Sequence, residues 1–375
     1  MLSLLLLVIL AALVFEYING FHDTANSIAT VVATKVLSPM QAVALAASMN
    51  LVGALAGTAV AKTIASGLID AGVVEVTSQV ILCALTGGIV WNLITWWLGL
   101  PSSSSHALIG GLCGAAVAAA DNDWAAIIWS VPVEPLYRSE GVLWKVIVPM
   151  VSSPVLGFVS GFLVMGVLFG LIALMARGGR VLAALVRPRW VNGFFGKAQI
   201  VSAGYMGFAH GMNDAQKTMG IIALALISAQ AVGTLDALPW FLDFLHPSEA
   251  AMAEGDIDLW IKITCALVMA AGTAAGGWRI IKTLGHKMVK LHPIHGFAAE
   301  TSAASVITFA SSLGIPVSTT HNISSAIMGV GAAKRFSAVK WGVVERMLWA
   351  WVLTLPAAGG MAWLLVRGLR AMGAA

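Results

Sequence analysis

The chain has 375 residues, 59% of them hydrophobic and only 10% charged, with a formal charge of +4 and a mean hydropathy of +0.90. Soluble domains carry about 25% charged residues, so this composition excludes an ordinary soluble fold and points to an integral membrane protein. The basic balance follows from membrane topology, as the loops show below, and is no sign of nucleic-acid binding.

In chain order, the apolar run Leu2–Val14 comes first. It lacks a basic leader and an obvious cleavage site and runs straight into polar residues, so it reads as a spanning helix and not a signal peptide. The polar block is Asn19-Gly20-Phe21-His22-Asp23-Thr24-Ala25-Asn26. Apolar stretches 41–61 and 78–98 follow, then Gly99-Leu100-Pro101-Ser102-Ser103-Ser104-Ser105-His106. A long apolar run at 146–175 leads into a basic Gly/Arg/Pro stretch ending near Lys197. The pattern then repeats. His210-Gly211-Met212-Asn213-Asp214-Ala215-Gln216-Lys217 precedes the apolar stretch 259–278, then Gly314-Ile315-Pro316-Val317-Ser318-Thr319-Thr320-His321, then a last run at 343–366. The stretches 41–61, 78–98, 146–175, 259–278 and 343–366 are each long enough to cross a bilayer. Cys83, Cys113 and Cys265 sit in apolar segments without metal or redox spacing and read as packing residues.

The loops sort by charge. Segments 35–40, 177–197, 279–290 and 333–340 carry Lys35, Arg177, Arg180, Arg187, Arg189, Lys197, Arg279, Lys282, Lys287, Lys290, Lys334, Arg335 and Lys340, and no acid. Lys/Arg excess marks the cytoplasmic side. Segments 63–77, 121–140 and 236–258 hold twelve of the seventeen carboxylates and one basic residue, Arg138, and are expected outside with the N-terminus. The first aspartate block then runs from outside to inside and the second from inside to outside. The predicted architecture is therefore an all-α membrane protein of about 10–12 membrane segments, with broken helices and re-entrant hairpins. It comprises an inverted repeat at 1–140, a connecting helix and basic linker at 141–197, and a second repeat at 198–375.

Five acids remain inside: Glu16, Asp23, Asp214, Glu300 and Glu345. An ionisable group at membrane depth costs about 2.5–3.5 kcal/mol and is a functional candidate by default. Asp23 and Asp214 occupy equivalent places in the repeat and are the candidate seats for a coupling cation. A carboxylate that caps a broken helix or pairs with Lys217 is the structural alternative. The Pro-Ser-Ser-Ser-Ser-His and Pro-Val-Ser-Thr-Thr-His blocks read as starts of half-helices, with proline in the first turn and hydroxyl caps. Such N-termini gather backbone donors and partial positive charge, which suits an anion. The candidate anion ligands are Asn26, Ser103, Ser104, Ser105, Asn213, Ser318, Thr319 and Thr320. Accessory candidates are His22, Lys217, His106, His321 and Glu300. No metal site and no cofactor are predicted.

At these four blocks the chain resembles the inorganic phosphate transporter (PiT) family, and the resemblance covers essentially its whole length. His22-Asp23, where the common pattern has Asn-Asp, is similar to the bacterial low-affinity branch. That resemblance implies phosphate import by proton symport, often as a neutral metal–phosphate complex, through the bacterial plasma (inner) membrane. Sodium coupling and a sulfate permease of the same architecture stay open. The implied partners are inorganic phosphate and the lipid bilayer, with a homodimer compatible. An intramembrane serine hydrolase built on Ser104 or Ser105 with His106 is disfavoured. Adjacent helical residues point about 100° apart, and a hydrolase has no reason to carry its serine block twice.

Overall fold

The computed structural model describes residues 2–135, 139–236 and 238–373; Arg138, assigned above to an outer loop, lies outside them. The described residues are nearly all helical. α1 is Leu2–Ala33, α2 Pro39–Ala54, α3 Ala59–Ser66, α4 Ser78–Leu98, α5 Ser104–Ala119, α6 Val148–Arg177 and α7 Arg180–Leu185. α8 is Pro188–Ala231, α9 Glu249–Glu254, α10 Leu259–Ala275, α11 Trp278–Lys282, α12 Pro293–Ser312, α13 Thr319–Lys334 and α14 Trp341–Ala371. Four of these helices are long and apolar enough to cross a membrane, or six segments if each bent pair counts as one.

The order of elements recurs. A long helix (α1, α8) is followed by a bent pair, α2/α3 at 69° and α10/α11 at 57°. A hairpin follows, made of a long helix and a shorter one (α4–α5, α12–α13). A long helix with an internal proline comes last, α6 with Pro154 and α14 with Pro356. Packing exchanges partners in the same way: α1 lies against α10 and α8 against α2, while α5 lies against α14 and α13 against α6.

Local chemistry explains the boundaries. Ser38 accepts from Gln41 N, and Pro39 fills the first turn of α2. Gly99 at φ 65° ends α4, and Gly314 at φ 67° follows α12, both in the left-handed region that lets the chain reverse. The apolar stretches 41–61 and 259–278 were expected as continuous spans, but each is broken. Gly276 takes φ 73° and turns the chain between α10 and α11. Conversely, the aspartate blocks lie within the unbroken helices α1 and α8, so neither Asp23 nor Asp214 caps a break.

Gly20 and Gly211 let those helices approach their neighbours. A Cβ at Gly20 would meet Met269 O at 2.5 Å, and one at Gly211 would meet Asn50 O at 2.2 Å. Gly211→Ala is expected to force α8 off α2 at a cost of about 1–3 kcal/mol. A lowered thermal midpoint of the purified protein would show it, and an unchanged midpoint would refute the close packing.

The loops gather at two ends. At one, Ile69 pairs with Ile127, Asp70 N donates to Ala126 O, and Arg367 and Arg370 pair with Asp121. At the other, Lys340 N donates to Met288 O at 3.1 Å, and Thr34 Oγ1 to Gln199 Oε1 at 2.9 Å. α14 runs from the second end to the first. Its face and that of α6 expose Leu163, Val167, Leu174, Trp349, Val352 and Leu364. Apolar faces of this extent suit lipid.

Candidate functional site

Ser103 caps α5 and Ser318 caps α13, each accepting from the backbone N of the histidine three residues on at 3.2 Å. Both half-helices therefore begin within the Pro-hydroxyl-His blocks with hydroxyl caps, but Pro101 and Pro316 lie two residues before the caps and not in the first turn as expected. Their first turns meet between α1 and α8. Asp23 and Asp214 approach from those two helices, and with His210 each presents a ligand atom within 4.8 Å of the other two.

Thr319 and Thr320 join the two aspartates to the α13 N-terminus. Thr319 Oγ1 donates to Asp214 Oδ2 at 2.8 Å and Thr320 Oγ1 to Asp23 Oδ1 at 3.3 Å. Asn26 Nδ2 donates to both hydroxyls, at 3.2 and 2.9 Å. Lys217 Nζ donates to Asp214 Oδ1, to Ser105 Oγ and to Val317 O. The pairing of a carboxylate with Lys217, raised as the structural alternative, is thus present inside the candidate site. Asp23 has a different neighbour: His22 Nδ1 lies 2.7 Å from its Oδ1, and His22 Nε2 lies 3.2 Å from Thr95 Oγ1. Ser102 Oγ extends that chain by donating to Thr95 Oγ1 at 2.8 Å.

All eight predicted anion ligands are buried. Seven of them lie along the helix starts or at Asn26. Asn213 turns aside, its Nδ2 donating to Ser311 Oγ at 2.7 Å on α12. Ser104 Oγ, Asn26 Oδ1 and Asn213 Oδ1 are buried without a hydrogen-bond partner among the described residues. A buried polar atom left unpaired costs free energy; the Ser104 hydroxyl at the α5 start can donate to an oxyanion, whereas the two amide oxygens, within α1 and α8, can only accept, as from a hydroxyl carried by the anion itself.

The histidines of the second blocks sit apart from this chain of bonds. The His106 and His321 rings meet edge-on with centroids 4.9 Å apart, and His321 stacks on Trp351 at 4.1 Å. Glu300 is held by Thr30, Ser202 and Gln199, one turn along α1 from Asn26. Glu16 accepts from Thr218 at 2.5 Å.

Three contributors escaped the sequence reading. His210 Nε2 lies 3.0 Å from Asp214 Oδ2, and its Nδ1 lies 3.0 Å from Asn50 Oδ1. Its position one turn before Asp214 was a usable signal, since residues four apart share a helix face. Asn50 in turn donates to Thr273 Oγ1 at 2.8 Å. Gln216 Oε1 accepts from Val60 N at 2.7 Å and so caps α3 across the helix interface. No local pattern announces that bond.

The same blocks that build this cluster fall within residues 19–362, which match the phosphate transporter family. The chain belongs to that family. It is 44% identical over 356 residues to a Bacillus subtilis (strain 168) protein described as a probable low-affinity inorganic phosphate transporter, covering 95% of this chain and 94% of that one. A Rhizobium meliloti (strain 1021) protein of the same description is 44% identical, with 95% and 93% covered. A solved structure described as the sodium-dependent phosphate transporter superposes with a TM-score of 0.76, covering 98% of this chain and 99% of that one. At 23% identity that likeness establishes the shared fold. Family and relatives are transporters, and the chain is not an enzyme.

Proposed function

We propose that this transporter imports inorganic phosphate by symport with protons across the bacterial plasma membrane, its N-terminus outside. The observation that carries the reading is the meeting of the α5 and α13 N-termini with Asp23 and Asp214. Hydroxyls and backbone N–H groups at the helix starts hold the anion, and the carboxylates seat the cation that offsets its charge. Ser103, Ser104, Ser105, Ser318, Thr319, Thr320, Asn26 and Asn213 form the anion set.

Protons are favoured by the basic partners of the two carboxylates. His22 is hydrogen-bonded to Asp23 and His210 Nε2 lies 3.0 Å from Asp214 Oδ2, so groups able to exchange a proton stand beside both carboxylates. Selectivity against sulfate follows from the same acids. Hydrogen phosphate offers a P–OH to an acceptor, whereas sulfate at neutral pH leaves that acceptor unpaired and repelled.

Sodium coupling is the second reading, supported by the oxygen-rich cluster of Asp23, Asp214 and the hydroxyls of Thr319 and Thr320. Phosphate uptake into proteoliposomes, with pH and sodium gradients imposed separately, decides between them. Uptake driven by an inward proton gradient and abolished by an uncoupler is expected. Uptake driven by sodium alone would overturn proton coupling, and equal competition by sulfate would overturn the selectivity argument.

A further inference from the structure

Three residues after Asp23 stands Asn26, and three residues after Asp214 stands Lys217. The repeat thus places a neutral amide and an ammonium at equivalent positions. Lys217 is only 2% exposed. Its Nζ is held by the Asp214 carboxylate, the Ser105 hydroxyl and the Val317 carbonyl. An ammonium has three donors, and three protein oxygens take all of them. One carboxylate, one hydroxyl and one backbone carbonyl are also the donors a hard cation takes from a protein. They come from α8, from the start of α5 and from the strap that leads into α13.

The first half is built differently. Asn26 Nδ2 faces the Thr319 and Thr320 hydroxyls, and its Oδ1 is buried and unpartnered. Among the described residues no ammonium reaches Asp23, whose bonded partners are His22 and Thr320.

We infer that Lys217 is a tethered cation that permanently fills one of the two repeat-related cation seats. An exogenous monovalent cation is thereby excluded at Asp214, and only the Asp23 seat takes the driving ion. The inference rests on the proposed coupling role of the two aspartates and assigns them unequal parts. It also makes the lysine a specificity-determining residue, because its charge replaces a second imported cation.

The test is to ask whether sodium can stand in for the ammonium. Lys217→Asn gives the second half the residue of the first and leaves a carboxylate, a hydroxyl and a carbonyl facing one another. The thermal midpoint of the purified full chain is measured in sodium chloride and in choline chloride of equal ionic strength. The unmutated protein is expected to melt alike in both, whereas Lys217→Asn gains several degrees in sodium, saturably. Recovery of folded Lys217→Asn in sodium but not in choline gives the same answer. A sodium shift of equal size in both proteins overturns the inference, as does a variant lost or unresponsive in both salts. A second variant, Asp23→Asn, leaves the Asp214–Lys217 pair intact. It is expected to bind no radioactive sodium, and any saturable sodium binding by it would overturn the inference. Phosphate uptake by the unmutated protein is followed in parallel. Its absence sinks the transport reading and leaves the sodium result standing.

Discussion

Asp23→Asn is expected to bring gradient-driven phosphate accumulation down to the level of protein-free vesicles. Asp23 is 2% exposed and touches His22 and Thr320, and in the proposed scheme its carboxylate is the group that takes up the coupling cation in the first half. Asparagine keeps the shape and an acceptor for Thr320 Oγ1, so the hydroxyl is not orphaned and the fold should survive. Coupling is what the change removes, because an amide takes up neither a proton nor a cation. The informative readout pairs net accumulation with phosphate exchange at equal concentrations on both sides. Loss of the first with retention of some of the second marks a coupling residue. Full accumulation by Asp23→Asn would show that the buried carboxylate is only structural. Asp214→Asn is expected to abolish accumulation as well, with an added loss of stability. It leaves the buried Lys217 ammonium without its carboxylate, and breaking such a pair costs about 3–5 kcal/mol.

Thr319→Ala is expected to weaken phosphate uptake by raising KM roughly 5- to 150-fold, the effect of losing about 1–3 kcal/mol of hydrogen bonding. Thr319 stands where the two halves meet: it accepts from Asn26 at 3.2 Å and donates to Asp214 at 2.8 Å. Its removal takes a proposed anion ligand from the α13 start and leaves Asn26 and Asp214 each short of one partner. Thr319→Ser keeps the hydroxyl and should restore most of the affinity. If alanine matched the native KM, or if serine failed to rescue it, the site as drawn would be wrong. Ser104→Ala probes the opposite helix start. Ser104 Oγ has no hydrogen-bond partner among the described residues, so its loss should lower affinity without lowering the thermal midpoint.

Much of this was legible along the chain. The composition excluded a soluble fold, the duplicated blocks named the residues that gather at the site, and Ser103 and Ser318 announced two helix starts. These are local signals: a proline, a hydroxyl and a run of free backbone N–H groups act within one turn of helix. The breaks at α2/α3 and α10/α11 were hidden, because apolar residues continue through them and only backbone geometry at Gly276 and its neighbours reveals the bend. The parts played by Asn50 and Gln216 were equally out of reach, as were the Ser105 and Val317 contacts of Lys217, although its pairing with a carboxylate was anticipated. Gln216 caps a helix more than 150 residues earlier in the chain, and Lys217 joins α8 to hairpins 112 residues before it and 100 residues after it. Sequence by itself determined which polar groups must be buried, since each is written into an apolar run. Tertiary structure alone decided which of them are neighbours. Bond partners depend on how helices from the two halves cross, and a buried ammonium takes whichever three oxygens that crossing brings within reach.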